Sequence, residues 1–138
     1  MMVALHEAGS PVAVTLETVR TSRLWGQRFE VARALGHVLL DPVRAGAIGA
    51  ASGTFAQETR RRRSGAFAAE FLLPESALAR ASGGALDGAA EDAAFSSLLQ
   101  EYGIGARVAA YQLWNRGWLS SPDVRDDLID RFASVRWG

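Results

Sequence analysis

The sequence predicts an α+β domain, predominantly helical, with a small sheet or hairpin near its N-terminus. Apolar residues recur at helical spacing along most of the chain after residue 23, and one short β-branched run lies near the start. Of the 138 residues, 49% are hydrophobic, enough to bury a core in one domain of common size. The expected organisation is therefore a single unit over 1–138, with C-terminal helices at 91–133 as part of it.

Each element has its own signal. Val12, Val14 and Leu16 alternate within Pro11–Thr18, which reads as a strand. Ser22 is placed to cap a helix over Arg23–Leu40, where Phe29, Ala32, Gly36, Leu39 and Leu40 share a helical spacing until Asp41-Pro42 ends it. Ala45–Thr54 is rich in Gly and Ala and reads as a loop or short hairpin. A second helix is expected over Phe55–Leu73, stopped by Pro74. Glu75–Ala90 reads as a connection or a short helix followed by a loop. Helices over Glu91–Tyr102 and Ala106–Arg116 flank the turn Gly103-Ile104-Gly105, with Gly117 closing the second of them. Ser121-Pro122-Asp123 combines a capping hydroxyl, a first-turn proline and an acid at the positive end of a last helix to Phe132.

Charge and composition exclude several classes. Fifteen basic and fifteen acidic side chains give zero net charge, which argues against a general nucleic-acid sponge. All the basic residues are Arg, which with the abundant Ala and Gly points to GC-rich coding. Cysteine is absent, so disulfides, thiolate metal sites and Cys nucleophiles are excluded. No apolar run approaches the ~20 residues of a membrane span. Met1–Gly9 carries an acid and no basic stretch, unlike a secretory signal. The expected setting is the bacterial cytoplasm, without a membrane partner. There is no Gly-rich phosphate loop, since Gly83-Gly84 lacks a preceding strand and the Lys.

Two constellations carry a more specific signal: Arg28-Phe29-Glu30-Val31-Ala32-Arg33-Ala34-Leu35-Gly36-His37-Val38-Leu39-Leu40, and Phe67-Ala68-Ala69-Glu70-Phe71-Leu72-Leu73-Pro74. In that order they resemble the ImmA/IrrE-type zinc metallopeptidase family, whose hallmark is a helix reading roughly R-F-x-x-A-H-E-x-G-H and a later helix ending F-A-A-x-L-L-M-P. The framework of the first motif survives in Arg28, Phe29, Ala32, Gly36 and His37. The second survives almost whole, with Leu73 where Met is common. The stretch from Leu99 to Leu119 is also similar to the family's tail, so the resemblance spans Val12 to Leu119. It implies a compact zincin-like domain.

The resemblance also shows what is missing. In an HExxH helix two histidines one turn apart grip zinc, and the intervening Glu acts as general base on the metal-bound water. Here the first His is Arg33 and the Glu is Ala34; only His37 remains. A guanidinium has no lone pair for a metal, and alanine cannot take a proton. No zinc is therefore expected, with His37 and Glu70 as the weak candidates left. The family's third ligand cannot be placed, and the turn where relatives often carry an acid matches Arg60–Arg63. The other histidine, His6 beside Glu7, reaches a zinc site only by folding across the domain.

Glu70 shares a helical stripe with Ala66, Phe67, Leu73 and Pro74 and is expected to be buried, where a carboxylate needs a partner. Arg33 either pairs with Glu70 or another nearby acid in the vacated site, or runs along the groove to solvent. His37 reads first as a structural histidine and second as a remnant metal ligand.

Arg60-Arg61-Arg62-Arg63 is either a solvated stretch or a contact for an acidic partner or nucleic-acid phosphate. Phe95–Leu119 admits a helix-turn-helix reading with Val108, Leu113 and Trp114 in its core. Arg107, Gln112, Asn115 and Arg116 would then be exposed groove readers. Trp114, Trp118 and Trp137, with Tyr111 and Phe132, make the C-terminal third aromatic. Most of these should be core, and Trp137 points to another chain or a larger parent protein.

The leading functional expectation is a catalytically inactive metallopeptidase-like module that binds a protein partner. The resemblance implies a regulatory system of phage-related or stress-response type. The alternatives are an active zinc-dependent endopeptidase cleaving a regulator, and a DNA-binding regulator using 95–119.

Overall fold

The computed structural model describes residues 2–4, 13–15, 23–40, 48–50, 58–82 and 89–134. Six helices dominate: α1 (Leu24–Leu40), α2 (Glu58–Leu72), α3 (Glu75–Ser82), α4 (Ala89–Tyr102), α5 (Ala106–Asn115) and α6 (Pro122–Phe132). Three three-residue strands, β1 (Met2–Ala4), β2 (Ala13–Thr15) and β3 (Ile48–Ala50), pair antiparallel in the order β2-β1-β3, with Val3 opposite Val14 and Gly49. The class rests on the helices rather than on these short pairings. Of the strand expected over Pro11–Thr18, only Ala13–Thr15 lies among the described residues; His6 and Trp137 lie outside them. No described helix is long and apolar enough to cross a membrane.

The chain divides into two compact units, Met1–Ala68 and Ala69–Gly138, with the division inside α2. In the first unit, α1 buries small residues: Gly26, Ala32, Ala34 and Gly36, followed by His37. Gly36 has a steric reason. A Cβ placed there would come 2.8 Å from Cδ1 and 3.3 Å from Cβ of Phe67, so this turn of α1 accepts the Phe67 ring only because the side chain is absent. On α2 the buried positions of this unit are Ser64 and Ala68, one turn apart. The Ser64 hydroxyl donates to the Arg61 carbonyl at 3.1 Å, which satisfies it where it is buried.

The second unit has one apolar core. Leu73, Leu78, Phe95, Leu99, Ile104, Leu113 and Leu128 are fully buried in it, and Phe132 meets Phe95 edge to face with centroids 5.0 Å apart. Both glycine turns end helices in the left-handed conformation. Gly103 (φ 57°) lets Ile104 N–H donate to the Leu99 carbonyl. Gly117 (φ 71°) lets Trp118 N–H reach the Leu113 carbonyl, and its own N–H reach that of Trp114. At Gly117 these are the paired bonds of a Schellman close, and a Cβ would resist both left-handed backbones. Ser121 caps α6 by accepting from Val124 N–H at 3.3 Å, with Pro122 in the first turn and Asp123 behind it.

Of the two readings of the segment after Pro74, the short helix is the one found, as α3, because Glu75 favours a first turn and Ala77 and Leu78 drop into the core. Expectations for three apolar residues need correction. Val108 and Trp114 are half-buried rather than core, and Trp118 is exposed. The reason is that α5 is packed through its small face, Ala106, Ala109 and Ala110, beside Leu113.

Two helix glycines should respond to alanine with opposite signs. Gly65 on α2 has no heavy atom within 4 Å of an added Cβ, so Gly65→Ala should stabilise by roughly 0.5–1 kcal/mol through helix propensity. Gly36→Ala must displace the Phe67 ring and should destabilise by roughly 1–3 kcal/mol. Urea unfolding of the two variants checks the pair.

Candidate functional site

Glu30, Arg33, Ala34 and His37 fall within one stripe of α1, because steps of three and four residues return to the same side of a helix. This is the stripe on which the sequence motif would place its metal ligands. Ala34 is fully buried and His37 nearly so. The Arg33 side chain is 17% exposed, and its NH1 contacts both carboxylate oxygens of Glu30 at 3.1 and 3.4 Å. The Arg33 Nε is buried without a hydrogen bond among the described residues. Arg33 is thus held against its own helix by an i,i+3 pair. His37 is engaged by contacts of its own, in the last turn of α1 where a partial positive charge is favoured.

The donor chemistry of this stripe does not fit zinc. His37 is one imidazole donor. The position a turn before it carries a guanidinium already committed to Glu30, and the base position is a methyl group packed in the interior. Among the described residues no group of three His, Asp or Glu is placed to hold a metal ion.

Glu70 departs from expectation. It is half-exposed on α2, not buried, and its partners are Arg116 at 2.5 Å, the Glu75 N–H at 3.1 Å and the Gln112 side-chain amide at 3.4 Å. Helical geometry explains the error. Ala68 marks the buried side of α2, and Glu70 lies about 200° further round. The expected Arg33–Glu70 pair therefore gives way to two separate pairs, Arg33 with Glu30 and Glu70 with Arg116.

Arg116, the C-cap of α5, bridges two carboxylates: Glu70, and Glu75 at 3.1 Å. Beside it Gln112 is buried, and its amide lies 3.5 Å from the Leu73 carbonyl. Two of the four groove readers assigned to α5 are therefore spent inside the protein, since the carbonyl at the end of α2 and two acids need donors. Arg107 and Asn115 are exposed. Arg107 lies 5.6 Å from the Tyr111 ring, which Arg125 also covers at 4.7 Å. Sequence reading missed Glu30, Glu75 and Arg125. Glu30 was findable, three residues before Arg33 on the same face.

Arg60–Arg63 are all exposed on the first turns of α2. Glu58 pairs with Arg62 at 2.9 Å and Arg61 at 3.6 Å. The Arg62 hydrogen bond, followed by the nearby charges of Arg61 and Arg62, holds the Glu58 carboxyl below its ordinary range.

A motif helix with His37 on its inner stripe, followed by a second helix ending in Phe-Ala-Ala-Glu-Phe-Leu-Leu-Pro, defines a metallopeptidase-like domain. The model of the Peptidase_M78 family, described as the IrrE N-terminal-like domain, matches residues 21–113, most of the chain. The chain belongs to this family. Neither the curated proteins nor the solved structures contain a match.

The two ion pairs can be separated by double-mutant cycles. Glu30 and Arg33 should show a coupling of about 0.5 kcal/mol, the scale of an i,i+3 pair. Arg116→Ala breaks contacts to two carboxylates and should cost about 1–2 kcal/mol, while Arg107→Ala stays within about 0.5 kcal/mol. Denaturant titration of each variant measures these values.

Proposed function

We propose that this chain is a non-hydrolytic member of its family, a peptidase-like module that binds another protein in a regulatory system. The observation that carries the reading is the Arg33–Glu30 pair at the position of the first metal ligand. With Ala34 at the base position, water has neither a metal to acidify it nor a carboxylate to deprotonate it.

Binding in place of hydrolysis is supported by the outer face of α1. Leu24, Val31 and Leu39 are 67%, 49% and 61% exposed and fall on one side of the helix. Apolar groups gathered on one exposed face favour a protein contact. The regulatory setting, phage-related or stress-response, comes from the family resemblance.

The test is hydrolysis of an unfolded protein substrate with added zinc and with a chelator. The expected outcome is no chelator-sensitive cleavage by the wild-type chain, and none by His37→Ala. Cleavage that zinc supports and His37→Ala abolishes would overturn the reading.

A further inference from the structure

Helix α1 is built the reverse way round for a surface helix. Its small residues Gly26, Ala32, Ala34 and Gly36 are buried, while Leu24, Val31 and Leu39 are exposed. A surface helix ordinarily turns its large apolar residues inward and its charges outward. The outward set is also ordered. At about 100° per residue, Leu24, Arg28, Val31, Leu35 and Leu39 fall within an arc of about 80°, over about 22 Å of helix. Their first steps, of four, three and four residues, are those of a seam that receives the side chains of another helix.

The charge on this face has one sign. Arg28 is exposed between Leu24 and Val31, whereas Glu30, the one acid in α1, lies about 120° from Leu24 and is engaged by Arg33. The unit that carries α1 is basic as well. Residues 1–68 hold nine arginines and five acids, a net charge of +4, against six arginines and ten acids, a net charge of −4, in 69–138. The zero charge of the whole chain therefore conceals a basic unit around an apolar seam.

We infer that this face of α1 receives an acidic amphipathic helix of a partner protein. Apolar side chains of that helix pack between Leu24, Val31 and Leu39, and a carboxylate on its flank meets Arg28. The assignment rests on the protein-binding reading above and names the chemistry of the partner. Duplex nucleic acid offers phosphate to Arg28 but no apolar surface to the leucines. A second α1 presents arginine, not an acid, on the matching face.

The experiment is fluorescence anisotropy of a labelled synthetic helix titrated with the full chain. The peptide has about 18 residues, enough to cover the seam at about 1.5 Å per residue, with leucines at four-three spacing and glutamates on both flanks. The same peptide with lysine for every glutamate should bind about ten-fold more weakly or worse, and binding of the acidic form should weaken with salt. Replacing Leu24, Val31 and Leu39 together by Gln should abolish binding. All three side chains are exposed, so the circular dichroism should stay that of the wild type. Arg28→Gln should reduce affinity about five-fold and remove most of the preference for glutamate over lysine. The two peptides compared on the wild-type chain need no variant, which keeps the test decisive if Arg28→Gln misfolds.

The assignment is overturned if the acidic helix does not bind at up to about 1 mM protein, if the lysine form binds as well, or if the triple Gln variant binds like the wild type. It is also overturned if sedimentation shows a wild-type dimer that Val31→Gln dissolves, since the face then belongs to a second copy. The hydrolysis assay reads the other claim. Zinc-supported cleavage overturns the non-hydrolytic reading whatever the peptide does, whereas absence of peptide binding without cleavage overturns this assignment alone.

Discussion

A guanidinium on the inward stripe of a helix must be paired, and in this chain α1 supplies the partner itself. Glu30 and Arg33 are three residues apart, so the helical repeat alone brings carboxylate and guanidinium to 3.1 Å. The burial of Ala34 and His37 on the same stripe is compatible with that local neutralisation, because the stripe can enter the interior with its charge already matched. The functional consequence is chemical. A zinc site needs lone pairs converging from separate positions, whereas here the most electrostatically demanding position is a guanidinium whose charge Glu30 matches within one turn.

The second unit solves a similar problem with separate elements. The end of α2, the start of α3 and the cap of α5 converge polar groups on Arg116, with Gln112 beneath it close to the Leu73 carbonyl. Exposed ion pairs of this kind contribute little individually, but one arginine serving two acids fixes how the ends of three helices meet. The apolar core then does most of the stabilising, with Phe95, Leu99, Leu113 and Leu128 drawn from three helices.

Helices were legible where apolar spacing and punctuation agreed. Gly103 and Gly117 mark helix ends because a left-handed close demands a residue without Cβ, and Ser121-Pro122-Asp123 marks a start by capping chemistry. The third helix was less legible because it is only eight residues long and lies beside a stretch dominated by small residues. At the site, the loss of the metal ligands could be read directly from Arg33 and Ala34. The partners could not. Placing Glu70 on a buried stripe required knowing which side of α2 faces inward, and the sequence Phe67–Pro74 is apolar on more than one side. Gln112 and Arg116 look like surface residues in any helix; only the fold brings them to Glu70 and Leu73.

In this family member the motif helix carries an ion pair where a metal would be gripped. The most direct test is the zinc content of the full chain purified without chelator, measured beside His37→Ala. The account predicts far less than one zinc per chain in both proteins. About one zinc per wild-type chain, lost in His37→Ala, would contradict it.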